Sequence, residues 1–315
     1  MRRVWGPTFR VFALAALILL SGCVSTAPAP TAPAPTAPAP TAPAPTAPAP
    51  TAPAPTAPVP TASAPRALFV QGDFIPESGA PESRLFDGVD GPLSFTRLRR
   101  DVLETGLGLR VEEFILTPAE SITPARLAGA AVVVLGSNGR RLSGAEVAAL
   151  SAYLSAGGSV LTYADFQYGP ANWASDNDFL SQFGIEVFPD NFQPRTRIID
   201  FSGSHPVIAG VGALEVEGIS QFRMTQAAQA SASILARCAP LTRSGCILQP
   251  AELARVLPGD VVGCVFVREL PGGGRLAGVC DRNLFHNGPQ KDGTDLGQAD
   301  NRAFARNLFA WLTRR

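Results

Sequence analysis

Lysine is almost missing from this chain. Lys291 is the only one among 26 basic residues, which face 26 acidic ones, so the formal charge is zero. With no basic excess, the sequence carries no electrostatic footprint of a nucleic-acid binder. The near-exclusive use of arginine reads as genomic base composition rather than as a binding signal. Histidine is scarce too, with only His205 and His286. The five cysteines, Cys23, Cys238, Cys246, Cys264 and Cys280, include no C-x-x-C pair, so the close ligand spacing of a structural zinc site is absent and no metal or cofactor is expected. The apolar run Val11–Leu20 is far shorter than the ~20 residues of a membrane-spanning helix.

That short run is informative in another way. Arg2, Arg3 and Arg10 precede or open it and Leu20-Ser21-Gly22-Cys23 closes it, the layout of a signal peptide over residues 1–22. The LSGC segment resembles the lipobox of bacterial lipoproteins. The resemblance implies cleavage before Cys23, diacylglycerol on its thiol and, in many bacteria, a further palmitate-type chain on the new amine. Two or three acyl chains hold a protein durably on a membrane. Val24 rather than Asp after the cysteine favours the outer membrane, with the face left open. The bland alternative is an ordinary secretory signal with an incidental cysteine. Losing Arg2, Arg3 and Arg10 with the signal takes the balance from 0 to −3.

From Thr26 to Pro60 the chain repeats TAPAP six times and ends in TAPVP. Proline at alternate positions blocks helix and sheet, so residues 23–65 read as a lipidated, proline-rich tether. About 40 residues of polyproline II at roughly 3.1 Å each reach on the order of 120 Å. The rival reading, a proline-rich ligand for a partner domain, lacks flanking basic anchors; glycosylation of the threonines is left open.

Residues 66–315 read as one α/β domain with a mostly parallel sheet flanked by helices and a C-terminal β-hairpin. Ala67–Val70 is a first strand; Phe95–Thr105 is a helix with Gly106 as its stop; Leu109–Phe114 is a weaker strand; and Thr123-Pro124 caps a short helix ending near Gly129. The centre is AVVVLGSNGRRLSGAEVAALSAYLSAGGSVLTYAD, residues 131–165. Here a buried strand leads to a capping box of Ser143 and Glu146, a helix with Val147, Leu150 and Leu154 on one face, a Gly157-Gly158 stop and a second buried strand. Asp176–Phe183 reads as a helix whose Asp176-Asn177-Asp178 start also resembles a fragment of a calcium loop. Short strands follow at Ile185–Phe188, Thr196–Phe201, Leu214–Val216 and Ile234–Arg237. Val261–Val267 pairs with Arg275–Asp281 across the 271–274 turn, and Asn301–Leu312 is a final helix. Its aromatics read as core rather than as a ligand cage. In an exported chain the even count of remaining cysteines invites pairing, 238 with 246 and 264 with 280, each pair bracketing a turn.

Several of these stretches together resemble class I glutamine amidotransferase-like domains, in the divergent branch that includes trehalose-utilisation-like proteins. The resemblance rests on the strand and Gly-Ser-Asn of 132–138, the 142–165 unit, Ser204-His205-Pro206-Val207 leading to Gly210-Val211, and Asp281-Arg282-Asn283-Leu284-Phe285 followed by Asp300-Asn301-Arg302-Ala303-Phe304. It implies an amidotransferase-like sheet, and in active members a cysteine on the sharp turn after the second strand, with a histidine and an acid later. Here that turn is Tyr163-Ala164-Asp165-Phe166, with no cysteine or serine. Carboxyl ends of parallel strands gather at one sheet edge, which groups Asp73, Ser137, Asn138, Asp165, Asp281, Asn283 and His286 as a candidate cleft. One histidine beside carboxylates suits acid or base work. The alternative is that Asp165 and Asp281 cap helices or loop amides, as short acids routinely do; His205, before Pro206, reads as structural. The expectation is therefore a membrane-anchored envelope lipoprotein whose domain binds an envelope protein or a small ligand without catalysis. The alternative is a hydrolase or carbohydrate-modifying enzyme using Asp165, Asp281 and His286.

Overall fold

The computed structural model describes residues 64–72, 86, 91, 94–136, 140–164, 170–188, 195–217, 219–238, 254–288 and 294–315. The chain divides into two compact units at Val59/Pro60, and every element below belongs to Pro60–Arg315. The signal, Cys23 and the repeat up to Val59 lie outside the described residues.

The element order opens β1 (Arg66–Gly72), α1, β2 (Arg110–Leu116), α2 (Pro124–Leu127), β3 (Ala130–Gly136), α3 (Gly144–Ser155) and β4 (Ser159–Tyr163). Helix α1 is π-wound over Leu98–Glu104 and closes in an α-turn over Thr105–Leu107, burying Leu98, Val102, Leu103 and Leu107. Its left-handed stop is Gly108 at φ 60°, two residues beyond the expected Gly106. α3 has the expected start: Ser143 accepts from the Glu146 amide while the Glu146 side chain accepts from the Ser143 amide. Gly157, at φ 93°, turns the chain into β4.

α4 (Pro170–Leu180) begins earlier than the expected Asp176. Thus Asp176-Asn177-Asp178 lies inside the helix rather than at its start, and the three side chains take three separate partners. Asp176 meets Thr162, Asn177 exchanges two bonds with the Val187 backbone, and Asp178 pairs with Arg141. No calcium-type convergence exists there.

The second half supplies β5 (Ile185–Val187), β6 (Thr196–Ile198), β7 (Asp200–Phe201), β8 (Leu214–Val216), β9 (Phe222–Met224), β10 (Ala232–Arg237), β11 (Val261–Gly263), β12 (Val265–Glu269), β13 (Arg275–Val279) and α5 (Asn301–Thr313). The main sheet runs β2-β1-β3-β4-β13-β12-β10-β7. Its first five strands are parallel, and β12, β10 and β7 extend it antiparallel. Two small antiparallel sheets, β11-β9-β5 and β6-β8, complete the set. The expected β12–β13 hairpin is present. Two expected strands are each divided between sheets: Val261–Val267 breaks at Cys264, directly after Gly263, and Thr196–Phe201 breaks at Ile199. At Gly263 a Cβ would sit 2.3 Å from the Ile234 side chain, so the crossing is closed to any larger residue.

Alternation along β4 sorts the layers. Ser159 and Tyr163 face α5 and the segment leading into α1: the Ser159 hydroxyl donates to the Leu312 carbonyl at 2.6 Å, and the Tyr163 ring lies 6.1 Å from that of Phe95. Thr162 faces α4. Helices therefore cover both faces of the parallel strands, which read as continuous apolar runs because both faces are buried.

Candidate functional site

In a sheet of this kind the carboxyl ends of the parallel strands define the region where ligands bind. β4 delivers Tyr163 and Ala164 there, both buried. The Tyr163 ring lies flat across its partner Gly136 on β3, where a Cβ would be 2.1 Å from the ring. Phe95 and Phe285 close on the same ring edge-on at 6.1 and 6.4 Å. At the point of the expected turn the chain thus offers a wedged aromatic, and the Ala164 amide is tied to the Val279 carbonyl at 2.9 Å.

Of the seven predicted cleft residues, Asp73, Ser137, Asn138 and Asp165 lie outside the described residues. Asp281, Asn283 and His286 come together in the short turn that follows β13. Asp281 is fully buried and acts on backbone: Oδ2 accepts from the Glu217 amide at 2.7 Å, and Oδ1 from the Asn283 amide at 2.7 Å. This is the loop-capping use weighed for it above. The Asn283 amide group donates to the Glu217 carbonyl at 3.4 Å. His286 is 1 % exposed and lies 5.5 Å from the Phe95 ring. Burial, helped by the positive charge of Arg282, holds its pKa well below the usual imidazole value, so it is neutral. Its Nδ1 and the Asn283 Oδ1 have no hydrogen-bond partner among the described residues.

His205 behaves as expected of a structural residue. Its Nδ1 accepts from the Val207 amide at 3.2 Å, capping the turn Pro206–Ile208, and its ring meets Trp311 edge-on at 5.1 Å. Burial lowers its pKa. It lines a groove of about 490 Å³ that meets a second of about 320 Å³ at Gly203, beside the edge strand β7. Neither groove is lined by Asp281, Asn283 or His286.

The sequence reading missed two groups beside this region. Asn287 pins the start of α1: its side chain accepts from the Arg97 amide at 2.7 Å and donates to Thr96 Oγ1 at 2.6 Å. Asp176 is buried under the carboxyl end of β4, where Thr162 Oγ1 lies 3.2 Å from its Oδ1. Burial pushes its carboxyl up to about 8, the Thr162 bond pulling the other way, so it is protonated at neutral pH. No group of three or more His, Cys, Asp or Glu placed to hold a metal occurs among the described residues.

Cys264 and Cys280 are buried free thiols rather than the expected bridge. Cys238 is buried just past β10, and its expected partner Cys246 lies outside the described residues.

These features define a mixed α/β domain with a large, mostly parallel central sheet between helices. No family model matches the sequence, and no curated relative matches it. Among solved structures the chain is similar to the mmIFT52 N-terminal domain, with TM-score 0.51 and 17% identity over 78% of this chain and 96% of that one. That likeness is one of fold alone. Putative thua-like proteins from Bacteroides uniformis ATCC 8492 and Parabacteroides merdae ATCC 43184 also match. Their TM-scores are 0.45 and 0.47 at 14% and 12% identity, covering 81% and 79% of this chain and 95% and 90% of theirs.

Proposed function

We propose that this chain is a lipid-anchored envelope protein whose α/β domain is held off the membrane by its proline-rich tether and engages a small ligand or an envelope partner without covalent catalysis. The observation that carries the second half is the end of β4. Where a covalent enzyme of related fold raises a nucleophile, Tyr163 and Ala164 are locked into the core and Gly136 is shaped to receive the ring. Asp281, with both carboxylate oxygens taken by backbone amides, and His286, neutral and buried, are poorly placed for the acid and base roles of the hydrolase reading. The LSGC segment and the repeat support the first half.

Two measurements test the reading separately. Cys23→Ser should move the protein from the membrane to the soluble fraction, and retention on the membrane would remove lipidation as the attachment. Native protein treated with a broad acylating hydrolase probe should stay unlabelled. Stoichiometric labelling that denaturation abolishes would replace the binding module with an enzyme.

A further inference from the structure

Cys264 and Cys280, the two free thiols among the described residues, flank the open end of the hairpin β12–β13 directly opposite each other. The antiparallel register pairs Val265 with Val279, and one step further the Cys280 amide donates to the Cys264 carbonyl at 2.8 Å. Facing residues of an antiparallel pair have Cα atoms about 4.5–5.5 Å apart, inside the window of roughly 4.4–6.8 Å that a disulfide spans without backbone movement. Both side chains are wholly buried. Burial also pushes the Cys280 thiol well above its ordinary pKa, so thiolate, the form that exchanges, is scarce in the folded chain.

We propose that Cys264 and Cys280 form a redox pair whose state is set while the hairpin closes and is then sealed by the core, giving a dithiol form and a cystine form that do not interconvert without unfolding. The oxidant is a disulfide, small or protein-borne, met during folding. One cysteine thiolate attacks it, forming a mixed disulfide and expelling a first thiolate. The second cysteine loses its proton and attacks the mixed disulfide, expelling a second thiolate. Two thiols and one disulfide give one protein disulfide and two thiols. The consequence reaches the candidate site, because Cys280 is followed by Asp281 and its own carbonyl accepts from the Ser220 amide. A bridge would therefore stiffen the turn that positions Asn283 and His286.

The test needs only the full chain. Unfolded protein is refolded either in a glutathione redox buffer or in excess reductant, alkylated and cut with trypsin without reduction. Cys264 then lies on fragment 256–268 and Cys280 on fragment 276–282. The expected result is a linked fragment pair from the redox buffer and two alkylated fragments from the reductant. The linked form should melt roughly 5–10 °C higher, and a Cys280→Ala chain should lose that difference. Reductant added to the folded linked form should open it on the order of a hundredfold more slowly than in denaturant. Unlinked fragments from the redox buffer would overturn the pairing. Equal opening rates with and without denaturant would overturn the seal. Because refolding needs no export, failure of the envelope reading and failure of this pair are separately visible.

Discussion

Two buried carboxyl groups lie on the α3/α4 side of the sheet, and their surroundings push them in opposite directions. Glu146, on the first turn of α3, accepts from the Ser143 and Ile122 amides and from Arg140, whose guanidinium lies 2.7 Å away. Burial by itself would raise its pKa, yet these donors outweigh it and hold the carboxyl down to about 2. Asp176, one helix later, is enclosed more deeply and has Thr162 as its hydrogen-bonding partner, and burial lifts it to about 8. Asp176 lies deeper and Glu146 has more donors, and the two differences together set the charge. The β3–α3 junction is built to keep an anion, and the β4–α4 contact is built around a neutral acid.

The largest break in this comparison comes from Glu146→Ala. It strips Arg140 of its partner and leaves the Ile122 amide unpaired, and should cost about 3–4 kcal/mol, read as a lower denaturant midpoint at unchanged m-value. Its folded pKa is depressed, so the stability it contributes is complete above about 4.5 and is lost as pH falls toward 2. The gap between parent and variant should close over that interval, and a gap that persisted at the acid end would mean the charge is not the source.

Asp176→Asn should act the other way, adding about 2–3 kcal/mol at neutral pH by removing the cost of keeping a buried acid protonated. Its folded pKa is raised, so the parent keeps its full stability below the ordinary value of 3.8 and loses it as pH climbs to about 8. The advantage of the variant should appear above pH 3.8 and level off near 8; a destabilised variant across this range would assign Asp176 a role as an anion. Smallest is Thr162→Val, which removes the only described hydrogen bond to that acid and should cost about 1 kcal/mol. It should also raise the Asp176 pKa further, seen in a carboxyl titration followed by NMR.

The same pair shows what could be read ahead of the structure. Serine and glutamate three apart announce a capping box, so Glu146 was legible in its local role. Its bonds to Ile122 and Arg140 were not, since those arrive from a loop and a turn that tertiary packing brings together. Asp176 was misplaced because Asp-Asn-Asp has the composition of a helix start, whereas Pro170 opens the helix and the three residues face three partners. The parallel half of the sheet was legible because strands buried on both faces are continuously apolar. Three-residue strands such as β9 and β11 are too short to show a period, and a long apolar run that changes sheets directly after Gly263 looks like one strand. The wedge of Tyr163 over Gly136 joins residues 27 positions apart and has no local signature.

Arginine, read at first as a trace of base composition, has structural work here. Among the described residues seven of them, Arg66, Arg140, Arg223, Arg268, Arg275, Arg314 and Arg315, donate to main-chain carbonyls of other segments or of adjoining turns. A guanidinium has five N–H groups in a rigid fork, so one side chain can join two carbonyls, as Arg66 does with those of residues 126 and 128 at 2.7 and 2.8 Å. For the laboratory this divides the protein's reagents. Amine-directed cross-linkers and dyes find Lys291 alone among side chains and leave the scaffold untouched, whereas arginine-directed dicarbonyls would attack its fastenings.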